Sequence, residues 1–473
     1  MKKSLTLILF IVALAALLFY NTTLRQREVV ILSTNDMHAN IDNFAALATA
    51  VGQCRDTVET LLVDAGDRWT GNAFVDLAES RLPIIELMNS VGYNVATLGN
   101  HEFDAGAAVL QNAVDYADFT TICANMQSSN ADLKTLAPTA IIKTKCGIKI
   151  GFVGVVTNYD NGHPDGSEEV FKGLEFIDPM QAAETAVAEC EACDVKVLLS
   201  HMADDKDMIF ASRFEDYHLI IGGHSHMIVD TLVGKTVIGQ TGRKLKNVGA
   251  TRIKLKGRKI ISIEYENIPL SNYSKDSVTL SMVEKIESNP ALKVKVGELS
   301  APTNLIGFAN LETKLIAQAT SSQIGFYHYG GIRIAEYPAG DVSLLTLYNL
   351  EPFESKVHTI IMTPAQMRKM IVTKFNDTKN LKESHRIDLF STTPYDIVVD
   401  SAGEAVTVRF PKLVEGKKYR VALSDYVGKK YEAIEGDNHT EQNILVVDIL
   451  LKHFREHGVV VPDNVAKQRI VKR

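Results

Sequence analysis

The sequence lacks any excess of positive charge. Its 473 residues include 50 Lys and Arg against 57 Asp and Glu, which gives a formal net charge of −7. Proteins that bind nucleic acid polymers concentrate Lys and Arg on their surface, so this composition argues against such a partner. Any phosphate that the protein handles is therefore expected to be small and to be neutralised locally, for instance by metal ions.

Cysteine is scarce, and internal repeats and low-complexity tracts are absent. The five cysteines lie in the first half of the chain, at positions 54, 123, 146, 190 and 193. Cys190 and Cys193 form a CxxC pair, which fits either a close disulfide or half of a metal knuckle. Without a second such pair the metal signal is weak, so no catalytic or metal-binding role is expected for the cysteines.

One long apolar run stands near the N-terminus. Lys2 and Lys3 precede a run from residue 5 to residue 18 that only Thr6 interrupts, which is the pattern of an export signal. No small-x-small cleavage site and no lipid-accepting cysteine follow the run, so an uncleaved membrane anchor is the alternative to a cleaved signal peptide. Residues 1–25 are assigned to this segment, and the protein is expected to be exported to the periplasm or the cell surface.

Residues 26–270 carry the pattern of an α/β domain. Short apolar runs that read as buried strands alternate with stretches of helical spacing, such as 44–54 and 83–91. The informative strands are 29–33, 61–63, 95–98, 195–200 and 219–221, because Asp, Asn or His follows each of them within a few residues. Residues 251–268 alternate in the manner of a hairpin.

A second, smaller domain is predicted over residues 296–473, after a linker helix within 271–295. The length and the 46% hydrophobic content of the chain allow more than one core. Residues 275–287 read as a polar helix that bridges two domains. Further helices are expected at 311–320 and 441–457, the latter ended by Gly458, and a strand is expected at 357–362.

Polar clusters at the ends of five predicted strands carry the chemistry. Ligands bind at the carboxyl ends of the strands in an open α/β sheet, so these loops are expected to converge. Imidazole and carboxylate groups with an amide oxygen and no thiolate suit a pair of divalent ions such as Mn, Zn or Fe. Two such ions can hold a bridging hydroxide and neutralise a phosphoryl group, which suits phosphoester hydrolysis. The clusters contain Asp36, His38, Asp67, Asn100, His101, His201, His224 and His226.

The order of these clusters resembles that of the calcineurin-like metallophosphoesterases. The contexts Asn35-Asp36-Met37-His38 and Gly99-Asn100-His101-Glu102-Phe103-Asp104 resemble the 5′-nucleotidase branch. The resemblance implies an N-terminal four-layer αββα sandwich and a smaller α/β substrate-binding domain. It also implies that Asp36, His38 and His226 hold one ion, that Asn100, His201 and His224 hold the other, and that Asp67 bridges both.

His101 is the candidate for a catalytic group beside the metals. Asp104 lies three residues on, close enough in sequence for a carboxylate to orient the imidazole and keep it protonated. The resemblance gives His101 the task of stabilising the transition state or assisting the leaving oxygen. A metal ligand or a structural histidine is the alternative reading of the same residue.

The second half of the chain carries candidate substrate-binding residues. Gly330-Gly331-Ile332-Arg333 resembles the glycine-rich arginine motif of the family, in which the arginine binds the substrate phosphate. Phe353, within Glu351-Pro352-Phe353-Glu354, resembles the phenylalanine that stacks on the base. The resemblance therefore implies a nucleotide substrate.

Three positions depart from the family pattern. His328 stands where an asparagine is usual, and Ala39 follows His38 where many relatives carry glycine. Lys429-Lys430-Tyr431-Glu432-Ala433-Ile434 replaces a glycine-rich turn with a stacking aromatic, and Tyr431 is the candidate substitute for that ring. These departures leave UDP-sugars, cyclic nucleotides and other phosphoesters as alternative substrates. A non-catalytic protein that binds nucleotide or metal is the alternative outside the enzymes.

Overall fold

The computed structural model describes residues 10–13, 25–159, 162–166, 168–353, 355–377, 385–428 and 437–473. Most of the predicted export segment and all of residues 429–434, including Tyr431, lie outside this part of the chain. The described residues divide into two compact units. Unit 1 holds those up to Thr70 and Leu77–Glu287, and unit 2 holds Gly71–Asp76 and Ser288–Arg473. Over the described ranges, no helix combines the length and the apolar character needed to cross a membrane.

Unit 1 contains two six-stranded sheets. The first has the strand order β14-β13-β1-β2-β3-β4 and the second has the order β11-β12-β10-β9-β7-β6, while β5 pairs with β8. The strands are β1 (Gln26–Thr34), β2 (Thr60–Asp64), β3 (Val95–Thr97), β4 (Thr120–Ile122), β5 (Met126–Ser128), β6 (Thr139–Lys143), β7 (Lys149–Val156), β8 (Leu174–Phe176), β9 (Val195–His201), β10 (Leu219–Gly222), β11 (Ile228–Val233), β12 (Thr236–Thr241), β13 (Asn247–Lys256) and β14 (Lys259–Pro269).

The two sheets of unit 1 pack face to face. Apolar side chains of β1, β2 and β3 share one buried core with those of β7, β9 and β10, for example Ile31 and Val63 with Phe152 and Leu199. Helices cover the two outer faces, which gives four layers in the order α, β, β, α. The helices are α1 (Phe44–Arg55), α2 (Leu82–Val91), α3 (Ala107–Tyr116), α4 (Pro179–Ala186), α5 (Asp204–Arg213) and α6 (Ser277–Ile286).

The direction of the parallel strands determines at which edge of each sheet their carboxyl ends lie. In the first sheet β1, β2, β3 and β4 run parallel, and in the second sheet β7, β9, β10 and β12 run parallel. Their carboxyl ends therefore lie together at one edge of each sheet, where ligands bind in such folds. The β13–β14 hairpin pairs antiparallel with the other side of β1.

Unit 2 is a smaller α/β unit built on a five-stranded sheet of order β21-β17-β24-β20-β25. Three small sheets flank it, of orders β19-β15-β26, β23-β22-β27 and β16-β18. The strands are β15 (Lys295–Leu299), β16 (Thr303–Asn304), β17 (Ile324–His328), β18 (Glu336–Tyr337), β19 (Gly340–Ser343), β20 (Lys356–Met362), β21 (Leu389–Ser391), β22 (Tyr395–Val399), β23 (Ala405–Arg409), β24 (Tyr419–Ser424), β25 (Asp437–Leu445), β26 (Val459–Val460) and β27 (Gln468–Lys472).

Helices pack against the five-stranded sheet of unit 2 and form two hydrophobic cores with it. One core packs Phe308, Ile316 and Phe454 against the sheet, and the other packs Met367 and Ile371 against it. The helices are α7 (Leu305–Ala319), α8 (Leu344–Leu350), α9 (Pro364–Phe375) and α10 (Val446–His457), with single helical turns over Ala73–Asp76 and Asp425–Gly428.

The four-layer α/β fold predicted for the first domain and the smaller α/β second domain are confirmed. Two helix boundaries were wrong. The helix expected to begin at Leu311 begins at Leu305, because the Asn304 side chain accepts a hydrogen bond from the Gly307 amide and caps it there. The helix expected from Glu441 begins at Val446, because β20 pairs with residues 437–445 and draws them into the sheet.

Candidate metal centre

The loops at the carboxyl ends of the strands bring all seven predicted ligands together in unit 1. The side chains come from the loops after β1, β2, β3 and β10 and from the last residue of β9. Five of the residues are buried and two, in the loop after β10, are half-buried. They are Asp36, His38, Asp67, Asn100, His201, His224 and His226.

One group of four residues has the geometry of a cation site. One ligand atom from each of Asp36, His38, Asp67 and His226 lies within 4.8 Å of the others. His38 Nε2 is 2.8 Å from His226 Nε2, and His226 Nε2 is 3.4 Å from Asp36 Oδ1. Two ligand atoms on one ion with bonds of about 2.0–2.1 Å lie roughly 3 Å apart, so these spacings fit a shared divalent cation.

A second group shares the Asp67 carboxylate with the first. Ligand atoms of Asp67, His201 and His224 also lie within 4.8 Å of one another. His201 Nε2 is 3.2 Å from Asp67 Oδ2, and His224 Nδ1 is 3.1 Å from Asn100 Oδ1. The donors are imidazole, carboxylate and amide groups without a thiolate, a set that fits Mn, Zn or Fe. Asp67 is the one residue common to both groups.

Hydrogen bonds to backbone carbonyl oxygens orient two of the histidine rings. His38 Nδ1 lies 3.2 Å from the carbonyl oxygen of Thr70, and His201 Nδ1 lies 2.7 Å from that of Ala65. A ring whose Nδ1–H donates to a carbonyl oxygen presents the lone pair of Nε2 to a cation. In both histidines Nε2 is the nitrogen that faces Asp67.

The backbone of the centre is held in a conformation that costs free energy. Five of the seven residues have positive φ angles, where a side chain is normally disfavoured, at a cost of about 1–3 kcal/mol each. Such residues cluster at functional sites because the surrounding structure must hold them there. The φ angles are 49° at Asp36, 48° at His38, 59° at Asp67, 76° at His224 and 58° at His226.

Two glycines allow these loops to approach one another. A Cβ atom on Gly99 would overlap the carboxylate of Asp67, and a Cβ atom on Gly223 would lie 2.7 Å from His201 Nδ1. Contacts this short require the surroundings to move. Gly99 belongs to a motif singled out in the sequence and Gly223 directly precedes His224, but the packing role of both glycines emerges only from the structure.

The Asp67 carboxylate is held ionised inside the protein. Burial favours its neutral form, but His201, His101 and His38 outweigh burial and hold the pKa of Asp67 well below its usual range. Although burial lowers the pKa of His201, the charge of Asp67 raises it to about 10. A ligating imidazole must be neutral, so metal binding to His201 is expected to displace a proton.

His101 and Asp104 lie at the rim of the centre. His101 Nδ1 is 2.7 Å from Asp104 Oδ2, and the Thr70 hydroxyl donates a 2.6 Å hydrogen bond to the same oxygen. The His101 ring is 5.1 Å from that of His38 between centroids, and its backbone N–H donates to Asp67 Oδ1 at 2.9 Å. The imidazole is therefore oriented by a carboxylate that is itself fixed.

Glu102 is a positioning residue that sequence reasoning missed. Its fully buried carboxylate accepts hydrogen bonds from the backbone N–H groups of Asp67 and Arg68, both at 2.8 Å, and of Gly99 at 2.5 Å. It thereby ties the loop after β2 to the loop after β3. The signal was present in the motif Gly99–Asp104, but nothing local in sequence indicates that Glu102 reaches back to Asp67.

In unit 2 the predicted substrate-binding residues that the structure describes, which exclude Tyr431, lie together around Arg333. The Arg333 guanidinium carbon is 5.4 Å from the centroid of the Phe353 ring, and the Arg333 backbone N–H donates to the Leu350 carbonyl oxygen at 2.9 Å. Gly330 and Gly331 form the turn before Arg333. A Cβ atom on Gly331 would lie 2.7 Å from the ring carbons of two neighbouring side chains.

The loop that carries Phe353 is anchored by a buried carboxyl group. Glu351 Oε1 accepts hydrogen bonds from the Tyr327 hydroxyl at 3.1 Å and the Ser355 hydroxyl at 2.7 Å. Burial raises the pKa of Glu351 to about 7. His328, which replaces the usual asparagine, stacks on Tyr426 with ring centroids 4.7 Å apart.

Comparison with known proteins extends this picture to both units. The profile of the calcineurin-like phosphoesterases matches residues 29–227, and that of the 5′-nucleotidase C-terminal domain matches residues 289–435. Protein UshA of Yersinia enterocolitica is 24% identical over 91% of this chain and 91% of its own length. The trifunctional nucleotide phosphoesterase protein YfkN of Bacillus subtilis is 24% identical over 75% of this chain, but the match spans only 28% of YfkN.

A solved structure shares the fold over nearly the whole chain. The 5′-nucleotidase precursor from Thermus thermophilus superposes with a TM-score of 0.79 over 94% of this chain and 99% of its own, at 18% identity. With both domain profiles matched in order, the chain belongs to the 5′-nucleotidase family, in which a calcineurin-like phosphoesterase domain precedes a 5′-nucleotidase C-terminal domain.

Proposed function

We propose that the protein is an exported hydrolase that removes phosphate from nucleotides, with two divalent ions at the candidate metal centre. The observation that carries the proposal is the pair of ligand groups that share Asp67. The ions, when bound, supply Lewis acidity toward the phosphoryl oxygens and a nucleophile at neutral pH. The names of the relatives, among them a nucleotide phosphoesterase and several 5′-nucleotidases, support a nucleotide as the substrate.

The two groups of neighbouring ligand atoms suggest which residues would hold each ion. Asp36, His38 and His226 would hold one ion, and Asn100, His201 and His224 would hold the other. Asp67 would contribute to both ions, because its carboxylate belongs to both groups of neighbouring ligand atoms. Buried, pre-oriented ligands lose little conformational freedom when a metal binds, which favours affinity.

His101 would act on the oxygen of the leaving group. Its Nδ1–H donates to Asp104, so Nε2 is the atom that can hold a proton for the phosphoester. The carboxylate of Asp104 stabilises the imidazolium form by its charge and fixes the ring by its hydrogen bond. Proton transfer by a positioned side chain contributes typically about 10²–10⁴-fold to a rate.

Arg333 and Phe353 would bind the substrate in unit 2. A guanidinium can bind two phosphate oxygens at once, and a phenylalanine ring can stack on a nucleobase. Their 5.4 Å contact supports a common binding patch for a phosphate and a base. The absence of a Cβ atom at Gly331 lets the backbone before Arg333 pass close to the rings of Tyr327 and His328.

Export rests on the N-terminal sequence alone. Lys2 and Lys3 followed by the apolar run over residues 5–18 have the order of a secretion signal. N-terminal sequencing of the protein recovered from cells, together with fractionation, tests this proposal. A mature chain that begins after residue 18 supports a cleaved signal, an intact chain in the membrane fraction supports an anchor, and cytoplasmic protein contradicts export.

A substrate panel tests the activity and its specificity. The protein, loaded with Mn²⁺ or Zn²⁺, is assayed for phosphate release from nucleoside 5′-monophosphates, UDP-glucose, cyclic nucleotides and an aryl phosphate, with and without a chelator. We expect preference for 5′-monophosphates, abolished by chelation. Arg333→Ala is expected to raise KM for the nucleotide and for the aryl phosphate alike, by about tenfold or more, because both carry the phosphate that the guanidinium would bind. Activity on the aryl phosphate alone would contradict nucleotide binding by unit 2, and no hydrolysis at all would favour a binding protein.

A further inference from the structure

His224 has a carboxylate beside the ring nitrogen that faces away from the metal centre. Asp165 lies in the segment after β7, and its Oδ2 is 3.5 Å from His224 Nε2. Both side chains are partly exposed, His224 to 24% and Asp165 to 30%. Neither the motifs of the sequence nor the ligand groups include Asp165, so its position beside a candidate ligand requires an explanation.

The other contacts of His224 fix which nitrogen serves the metal centre. Nδ1 is 3.1 Å from Asn100 Oδ1, the amide oxygen of the same ligand group. The backbone N–H of His224 donates to the carboxylate of Asp36 at 3.0 Å. The ring therefore presents Nδ1 to Asn100 and Nε2 to Asp165.

This orientation is the reverse of that in the neighbouring histidines. His38 and His201 turn Nδ1 to a backbone carbonyl oxygen and Nε2 to Asp67. His224 turns Nδ1 inward, so the group that holds its outer nitrogen has to come from elsewhere in the chain. A carboxylate that accepts the outer N–H of a ligating histidine fixes its tautomer and raises the basicity of the inner nitrogen.

We propose that Asp165 is a positioning residue that accepts the Nε2–H of His224 and so holds Nδ1 toward the ion of Asn100 and His201. The inference rests on the proposed two-ion function. It predicts that Asp165 matters for one ion and not for the other, because His224 belongs to only one of the two ligand groups. A residue that merely supported the fold would affect both ions alike.

The test measures metal affinity at each site in the full-length chain. Chelator-treated protein is titrated with Mn²⁺ by calorimetry and with Co²⁺ by visible absorption, and His226→Ala identifies the step that belongs to the other ion. For Asp165→Ala we expect one step to weaken by about 10–100-fold and the other to stay within about twofold. Asp165→Asn, which keeps the shape but loses the charge, is expected to show a smaller loss at the same step.

Glu168→Gln is the matched control, since it removes an exposed carboxylate from the same segment. The unchanged step reports on folding within each variant. If both steps of Asp165→Ala keep wild-type affinity, or if both weaken equally, the inference about Asp165 is wrong and the two-ion proposal stands. If the wild-type protein itself binds fewer than two ions, the proposed function fails instead.

Discussion

Asp67 in unit 1 and Glu351 in unit 2 are both buried, at 1% and 0% exposure, yet their surroundings drive their pKa values in opposite directions. Burial disfavours the ionised form of each. Three histidines outweigh burial at Asp67 and hold its pKa well below the usual range. At Glu351 the hydrogen bonds from Ser355 and Tyr327 are too weak to do so, and burial raises the pKa to about 7.

The difference shows that neighbouring charge, more than burial, decides what a buried carboxyl group can do. Asp67 stays anionic among imidazolium groups, and a cation that displaces their protons can bind the carboxylate and the imidazoles together. Glu351 is biased toward its neutral form, which can donate a hydrogen bond as well as accept one, and so serves to anchor the loop of Phe353. The two groups are buried alike, and the contrast between them can be tested by substitution.

The largest effect is expected from neutralising Asp67. Asp67→Asn removes the one charge that both ligand groups share, so phosphate release is expected to fall by roughly a thousandfold or more. Steady-state kinetics with saturating Mn²⁺ measures the loss. Asp42→Asn, which removes an exposed charge from the loop after β1, serves as the control and should retain wild-type turnover. Near-normal turnover of Asp67→Asn would contradict a role for the ionised Asp67 carboxylate in the metal centre.

The next largest effect is expected at the His101–Asp104 pair. His101→Ala is expected to lower kcat by about a hundredfold, because the leaving oxygen loses its proton donor, and Asp104→Asn by about tenfold, because the ring loses its partner. Metal content, measured on the same samples, is expected to stay at the wild-type level. If His101→Ala instead lost metal, His101 would be a ligand and not a catalytic group.

Substitution of one glycine in each unit is expected to distinguish metal binding in unit 1 from substrate binding in unit 2. Gly99→Ala places a methyl group against the Asp67 carboxylate, so metal affinity is expected to fall by at least about tenfold. Gly331→Ala crowds two side chains in unit 2 and is expected to raise KM by a few-fold while metal affinity stays unchanged. Calorimetry and kinetics on the two variants give the comparison. Equal effects on metal affinity would contradict the separate roles of the two motifs.

The smallest effect is expected in the pH dependence of the free energy of unfolding, to which Glu351 contributes. Because burial raises the folded-state pKa of Glu351 from its ordinary value of 4.5 to about 7, the folded state binds more protons between these values. The contribution of Glu351 to the free energy of unfolding is therefore present below pH 4.5 and declines as pH rises through 7. Thermal unfolding between pH 4.5 and 8 is expected to show a shallower decline in Tm for Glu351→Gln than for the wild type.

Glu336→Gln is the control for that measurement, since Glu336 is an exposed carboxylate of unit 2. It should follow the wild-type pH dependence. If Glu351→Gln and the wild type lost stability in parallel across this pH range, Glu351 would be ionised in the folded protein and the contrast with Asp67 would fail.

The sequence allowed the α/β fold and the convergence of the ligands to be predicted, because both depend on local patterns. A buried strand with Asp36 or His201 at its end can be recognised within a short stretch of sequence. Parallel strands place their carboxyl ends at the same edge of a sheet, so these side chains are expected to converge. The hydrogen-bond and ion-pair partners of buried groups could not be predicted from the sequence. Glu102 reaches back to the backbone of Asp67, and Asp165 lies beside His224 across about 60 residues of sequence, so neither contact leaves a local signal.

Non-local pairing also explains the boundaries that the sequence did not reveal. Residues 441–445 have a spacing compatible with the helix that follows them, yet β20 takes them as a partner strand. Positive φ angles at non-glycine residues such as Asp36 and His224 run against local preference and are imposed by the fold. Local rules therefore failed where tertiary contacts or the candidate site overrode them.

The most direct test of the two-ion centre is phosphate release measured against equivalents of Mn²⁺ added to the chelator-treated protein, at a protein concentration well above the dissociation constants. If Asp67 joins two ions that act together, activity should rise to a plateau at two equivalents per chain. A plateau at one equivalent, or activity without added metal after exhaustive chelation, would contradict a centre in which Asp67 serves both ions.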